Sequence, residues 1–195
     1  KHDDLHLVAV GPLTNVALAL SLEPALAQRL AGISLMGGAT TVGNITATAE
    51  FNIWADPEAA TIVFGSGAEI VMADLDLTHQ FLIDRDRVAE VRQLGGTVAR
   101  FAADLLGFFI DAYEQTYGEA VGPLHDPCSV LAVTHPQLFD SVRRHVAVEQ
   151  YGELTRGMTV VDGRTGGMPQ PPNTRVLTRI DDEGAYAALL EALGA

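Results

Sequence analysis

Cysteine is nearly absent from this chain: Cys128 is the single one in 195 residues. An intrachain disulfide is therefore excluded, and a reducing compartment suits the composition. Basic side chains are scarce as well, 12 Lys and Arg against 25 Asp and Glu, which leaves a formal net charge of -13. A field of that sign repels phosphate backbones and anionic bilayers, so neither nucleic acid nor a membrane is expected as a partner. No apolar run approaches the roughly 20 residues that cross a bilayer, and the charged start Lys1-His2-Asp3-Asp4 leads into no signal-type apolar core. The expected location is the cytoplasm. Internal repeats, linkers and low-complexity segments are lacking too, so residues 1–195 read as one domain.

What the chain does contain is core material. Apolar residues make up 48% and charged ones 19%, the balance of a folded globular domain. Leu5 to Val10 reads as a buried strand, and Gly11-Pro12-Leu13 then turns into a helix from about Val16 to Leu30, broken near Glu23-Pro24, with Thr14 or Asn15 as its cap. Ile33 to Met36 is a second strand ending in Gly37-Gly38, and Glu69 to Asp76 a third, placing Asp74 and Asp76 on one side of it. Asp84 to Phe109 has a helical stripe, Val88, Val91, Leu94, Val98, Phe101, Leu105 and Phe109, expected to be mostly core despite Gly95-Gly96. Tyr113 and Tyr117 follow on one face. A helix opens at His125-Asp126-Pro127, β-like runs cover 143–151, 158–161 and 175–180, and a helix closes the chain. Alternation of strand and helix predicts an α/β fold: an open, mostly parallel sheet flanked by helices, with an antiparallel addition near the end.

The chemistry-bearing residues cluster after strands or at helix starts: Thr14-Asn15, Asn44 with Glu50 and Asn52, Asp76 with Thr78-His79, and His125-Asp126. In an open α/β sheet such edges converge on one crevice. Glu50 and Asn52, two apart in an extended approach, would point to one side and grip a small polar ligand, or form a polar loop capping the helix that Asp56-Pro57-Glu58 begins. His125 has the residue type of a general acid, since an unperturbed imidazole titrates at about 6.5; it also reads as a turn residue. Asp126 and the Thr14 carbonyl suit a hard cation but make only two ligands.

Taken together, seven blocks resemble the inosine-uridine-preferring nucleoside hydrolase family. They are Gly11-Pro12-Leu13-Thr14-Asn15, Leu35-Met36-Gly37-Gly38, Gly43-Asn44, Ala49-Glu50-Phe51-Asn52 with Asp56-Pro57-Glu58-Ala59-Ala60, Leu75-Asp76-Leu77-Thr78-His79, His125-Asp126-Pro127-Cys128 and Gly157-Met158-Thr159-Val160. They come in the family's order and run through nearly the whole chain. The resemblance implies a Ca²⁺-dependent cleavage of the N-glycosidic bond of a ribonucleoside, giving ribose and free base. It implies metal ligation by the Thr14 carbonyl and Asp126, with Asp126 also near the ribose hydroxyls. Asn52 would bind the diol, and Glu50, Asn44 and Met36 would surround the 5′-hydroxyl. His125 would protonate the departing base, and Tyr113 would line the base pocket.

The family's Asp-x-Asp-x-Gly-x-Asp-Asp motif, which supplies the general base and further calcium ligands, has no counterpart in this sequence. The expectation is a C-terminal portion of a nucleoside hydrolase, inactive alone and with an incomplete calcium site. The alternative is a non-catalytic ribose- or nucleoside-binding domain, or an assembly subunit. Sheet edges left open favour a homo-oligomer.

Overall fold

The computed structural model describes residues 4–194; Lys1 to Asp3 of the charged start, and Ala195, lie outside them. In chain order the elements are β1 (His6–Ala9), α1 (Thr14–Leu22), α2 (Leu26–Arg29), β2 (Gly32–Met36), α3 (Phe51–Ala55), α4 (Pro57–Phe64), β3 (Ile70–Ala73), α5 (Leu75–Thr78), β4 (Leu82–Asp84), α6 (Arg85–Gln93), α7 (Gly96–Tyr117), β5 (Val121–Pro123), α8 (His125–Thr134), β6 (Phe139–Arg144), β7 (Val146–Val148), β8 (Thr159–Val161), β9 (Thr174–Ile180) and α9 (Asp182–Gly194). Five strands form the main sheet in the order β1-β2-β3-β9-β6. The first four are parallel, and β6 adds antiparallel to β9 at the edge. The expected architecture, including its antiparallel addition, is the one observed.

Side chains alternate across a strand, so each face of this sheet needs its own cover. Ile33 and Leu35 of β2, Ile70 and Met72 of β3 and Val176 of β9 enter a core with Ala17 and Leu20 of α1 and Ala60 and Val63 of α4. On the opposite face Ala73 and Leu177 join Val91, Ala103, Ile110, Cys128, Leu131 and Tyr186. Ser34 points to that second face, where its hydroxyl donates to Ser129 O of α8 (2.7 Å). Such a bond removes the cost of burying a hydroxyl and fixes α8 along β2. Cys128 is fully buried and its thiol donates to Leu124 O (3.2 Å), so it serves packing.

Four local expectations are corrected. Glu50 and Asn52 do not lie on an extended segment: Glu50 is the N-cap of α3 and Asn52 sits in its first turn. The acid accepts from two backbone N–H groups there, which favours helix over strand. Thr14 is already inside α1, whose N-cap is Leu13 with no side-chain cap. The third strand ends at Ala73, because Asp74 turns to cap α5 by accepting from Leu77 N; Asp74 and Asp76 thus belong to a cap and a helix rather than to one strand face. In the long amphipathic stretch Val88 and Val91 are buried, but Leu94 (41%), Val98 (60%), Phe101 (63%) and Leu105 (55%) are exposed. Gly95 and Gly96, both at φ +75°, break the helix there, and α7 restarts with Ala99, Ala103 and Ile110 inward. Small residues let the helix lie close, and the bulkier neighbours are rotated outward.

Candidate active site

The loop after β2 carries most of the polar residues singled out from sequence. Met36 ends β2, and the Asn52 side-chain amide donates to Met36 O (3.0 Å) and approaches its Sδ (3.4 Å). Glu50, 2% exposed, accepts at Oε1 from Asn52 N (2.8 Å) and at Oε2 from Gly38 N (3.0 Å) and Ile53 N (3.3 Å). Burial raises its carboxyl above the ordinary range; the three N–H donors oppose that, and the nearby Asp126 charge adds to it. Asn44 Oδ1 accepts from Phe51 N (3.0 Å), which folds residues 42–48 back against α3. Met36, Asn44, Glu50 and Asn52 are therefore one hydrogen-bonded unit.

Two glycines make this unit possible. Gly38 has φ +85°, and a Cβ there would come within 2.9 Å of Thr159 Cγ2. Thr159, 2% exposed, instead accepts from Ala39 N (2.9 Å) and donates to Ala39 O (2.7 Å). At Gly157, φ +84°, a Cβ would meet the Trp54 backbone at 2.7 Å. The Gly157-Met158-Thr159 block thus backs the loop, a role its sequence position did not disclose.

His125 and Asp126 open α8. Thr78 Oγ1, at the end of α5, lies 2.7 Å from His125 Nδ1 and 3.4 Å from Leu75 O. Two arrangements satisfy these contacts: Thr78 donates to Nδ1, with the ring hydrogen on Nε2, or Nδ1–H donates to Thr78 while the hydroxyl donates to Leu75 O. The His79 ring stands 5.6 Å from that of His125. Burial, and then the His79 charge, lower His125 to about 4, so at neutral pH it is uncharged. The value near 6.5 assumed from sequence does not hold in the fold. At Asp126 the hydrogen bond made is through the backbone carbonyl, from Ser129 Oγ (2.8 Å), and the residue stays exposed. Crowding by protein on its inner side still raises its carboxyl above the ordinary range. Asp126 is near enough to Glu50 for its charge to act there, so the start of α8 shares an electrostatic environment with the loop unit.

Thr14 and Tyr113 join from the sides. Thr14 Oγ1 donates to Asp56 Oδ2 (2.5 Å), whose other oxygen caps α4 at Ala59 N (3.0 Å). That ties the start of α1 to the segment carrying Asn52. Tyr113 stacks between Phe109 (5.4 Å) and Tyr117 (4.4 Å). A Cβ on Gly122 would meet Phe109 at 2.6 Å and Tyr113 at 3.3 Å, so the pair covers the strand leading to His125. Neither His79 nor Thr78 has a role readable from sequence; the structure puts the Thr78 hydroxyl on His125 and the His79 ring beside it, and their place in the Leu75-Asp76-Leu77-Thr78-His79 block is the available signal.

The described residues alone do not complete a cation site. Among the described residues no three His, Cys, Asp or Glu side chains come together to hold a metal ion. Asp126 is a suitable oxygen donor, but a Ca²⁺ ion needs about six or more oxygens. No helix among the described residues is long and apolar enough to cross a membrane.

Residues 1–187 match the family described as inosine-uridine preferring nucleoside hydrolase. Similar curated proteins include the pyrimidine-specific ribonucleoside hydrolases RihA of Citrobacter koseri and of an Enterobacter species, 45% and 47% identical over 190 residues, 96% of this chain and 60% of each relative. The chain therefore spans less than two thirds of the length of these relatives. Among solved structures, the plant nucleoside hydrolase PpNRh1 superposes with a TM-score of 0.90 at 28% identity over 97% of this chain and 62% of that one. The purine-preferring ribonucleoside hydrolase from Gardnerella vaginalis gives 0.88 at 34% identity, over 98% and 62%. By the extent of the family match, which takes in residues 1–187, the chain belongs to the inosine-uridine preferring nucleoside hydrolase family.

Proposed function

We propose that the chain is the sugar-holding and leaving-group portion of a ribonucleoside hydrolase, and that hydrolysis requires a further segment bearing the Asp-x-Asp-x-Gly-x-Asp-Asp motif that this sequence does not contain. The observation that carries the reading is the pairing of an exposed Asp126 with a His125 held by Thr78, beside a pre-built loop of Met36, Asn44, Glu50 and Asn52. On this reading the C1′–N bond breaks with its electron pair going to the base, while water adds its oxygen at C1′ and gives up one proton to the acidic motif of the further segment; the departing base takes up one proton in exchange, leaving ribose and neutral base. Positive charge builds on the ribose ring, which oxygen-rich neighbours such as Asp126 and the Asn52 amide oxygen favour. In the tautomer whose Nδ1 accepts from Thr78, which this reading requires, neutral His125 donates its Nε2–H to the nitrogen gaining electrons, and hydrogen bonding to a developing anion stabilises it before any full proton transfer. Tyr113 covers the base.

Calcium, when bound, would orient and acidify the attacking water. Asp126 and the Thr14 carbonyl would be its ligands from this chain, with the remaining donors from the further segment. A homo-oligomer belongs to the same proposal, supported by the exposed apolar residues of α7 and by β1, which pairs on one side with β2. So does a cytoplasmic location. The higher identity to relatives named as pyrimidine-specific makes uridine the first substrate to try.

The second reading, a ribose-binding or assembly subunit without catalysis, is favoured by the lack of a three-ligand metal group among the described residues. One experiment separates them. The 195-residue chain alone is expected to release no base from uridine or inosine above background. In a form carrying the acidic motif, release is expected to depend on calcium and to be lost with Asp126→Ala. In that form His125→Ala should cost about 10²–10⁴-fold on uridine and far less on a nitrophenyl riboside, whose leaving group needs no help. Turnover by the chain alone overturns the need for the segment; no turnover in the motif-bearing form leaves the second reading standing.

A further inference from the structure

The short helix α5 joins the two halves of the site. Its first residues hold the loop: Leu75 N donates to Gly38 O (3.0 Å), and Thr40 Oγ1 donates to Asp74 Oδ2 (2.5 Å) while Asp74 Oδ1 caps Leu77 N (3.0 Å). Asp76 Oδ2 accepts from Thr40 N (2.7 Å) and Thr41 N (3.1 Å), and Thr41 Oγ1 donates to Asp76 Oδ1. Its last residue, Thr78, holds His125 Nδ1 at 2.7 Å. On the far side of the loop, Gly38 N donates to Glu50 Oε2 (3.0 Å). One unbroken run of hydrogen bonds thus passes from Glu50 through Gly38 and α5 to the imidazole.

We infer that Asp74 and Asp76 are positioning residues: they clamp the backbone at residues 40–41 to α5, so that the sugar-side loop and His125 are set in one frame. Both spend their side-chain oxygens on hydrogen bonds within the chain. The chemistry of the two acids suits the task. A carboxylate that accepts two adjacent backbone N–H groups and a hydroxyl fixes a loop's direction as well as its distance, and charged acceptors make hydrogen bonds stronger than neutral ones. Asp76 directs all its side-chain bonds at Thr40 and Thr41, and Asp74 spends one oxygen on the loop and one on α5, which places it at the joint. A four-residue helix has too little length to absorb a shift at one end without passing it to the other, because each of its residues is within one turn of both. The functional meaning of this clamp rests on the ribonucleoside-hydrolase reading, while its existence is testable without any substrate.

The test uses the 195-residue chain and two readouts. Amide hydrogen exchange at residues 39–44 reports the loop, and the imidazole ¹⁵N shifts of His125 report whether the Thr78 hydrogen bond at Nδ1 is kept. Asp76→Ala is expected to speed exchange at 39–44 by on the order of tenfold or more and to move the His125 ¹⁵N shifts. Asp76→Asn, whose amide oxygen still accepts from both N–H groups, should restore most of each. Thr41→Val, which removes the side-chain bond alone, should fall between. Unchanged exchange in Asp76→Ala overturns the clamp. Faster exchange with unmoved His125 shifts also overturns it, since Asp76 would then fasten the loop without setting the imidazole. In the motif-bearing form, failure to cleave both uridine and inosine would sink the hydrolase reading while leaving these two readouts intact.

Discussion

Glu50 and Asp126 are both carboxylates at the start of a helix, α3 and α8 respectively, close enough for their charges to be felt. Glu50 is 2% exposed, with three backbone N–H groups on it; Asp126 is exposed and its bond is a backbone one. The same division runs through their surroundings. Around Glu50, the Asn52 amide, the Asn44 oxygen and the Thr159 hydroxyl are all bonded within the chain. Around Asp126, His125 is fixed through Nδ1 alone. Buried polar groups must be satisfied at the moment of folding, so the first side is built shape. Groups left free at a surface can be satisfied later by a ligand, so the second side is where new bonds would form.

The largest expected consequence of that difference is in stability. Glu50→Ala should leave three backbone N–H groups without their acceptor and cost about 3 kcal/mol or more in urea unfolding, whereas Asp126→Ala should stay within about 0.5 kcal/mol. Equal losses would erase the distinction between the two sides.

Next comes pH. Asp74, 1% exposed, is raised by burial from 3.8 to about 6, against the pull of Thr40 and the Leu77 N–H. The folded chain thus binds this proton more tightly than the unfolded one. The group's favourable contribution is fully present below about 4 and is lost as pH rises through about 6, a difference of about 3 kcal/mol at ~1.4 kcal/mol per pH unit. Asp74→Asn keeps an acceptor for Leu77 N without the ionisation, so unfolding measured from pH 4 to pH 7 should differ in slope between the two proteins. Parallel curves would show that Asp74 is not a desolvated carboxylate. The smallest effect is expected at α7, where Phe101→Ser, 63% exposed in the parent, should change stability by no more than about 0.5 kcal/mol. A loss of several kcal/mol would return Phe101 to the core where its sequence period puts it.

Much of this was legible beforehand. The strands at Ile33 to Met36 and 175–180, the break at Glu23-Pro24 and the helix start at Asp56-Pro57 follow from apolar runs and turn residues, and all are present. The residues of the sugar loop were found as candidates because amides and acids at strand ends are few. Their local geometry was misjudged, since period-two spacing at Glu50 and Asn52 fits a strand and a helix N-cap equally until the partner N–H groups are known. The α7 stripe failed for a related reason. Heptad-like spacing says that one face is apolar, but Gly95-Gly96 frees the following helix to choose its own face, and Ala99 and Ala103 permit the closer approach.

The sequence by itself determined the alternation of strand and helix, the two-sided cover of the sheet and the membership of the family, because these rest on local pattern and on residue identity in order. Tertiary structure alone decided which polar atoms are spent and which are free. That Glu50 is consumed, that Thr78 holds His125 while burial lowers its pKa, and that Asp74 and Asp76 fasten a loop more than 30 residues upstream are facts of distance. Hydrogen bonding and desolvation act over a few ångströms in space, and separation along the chain does not encode them.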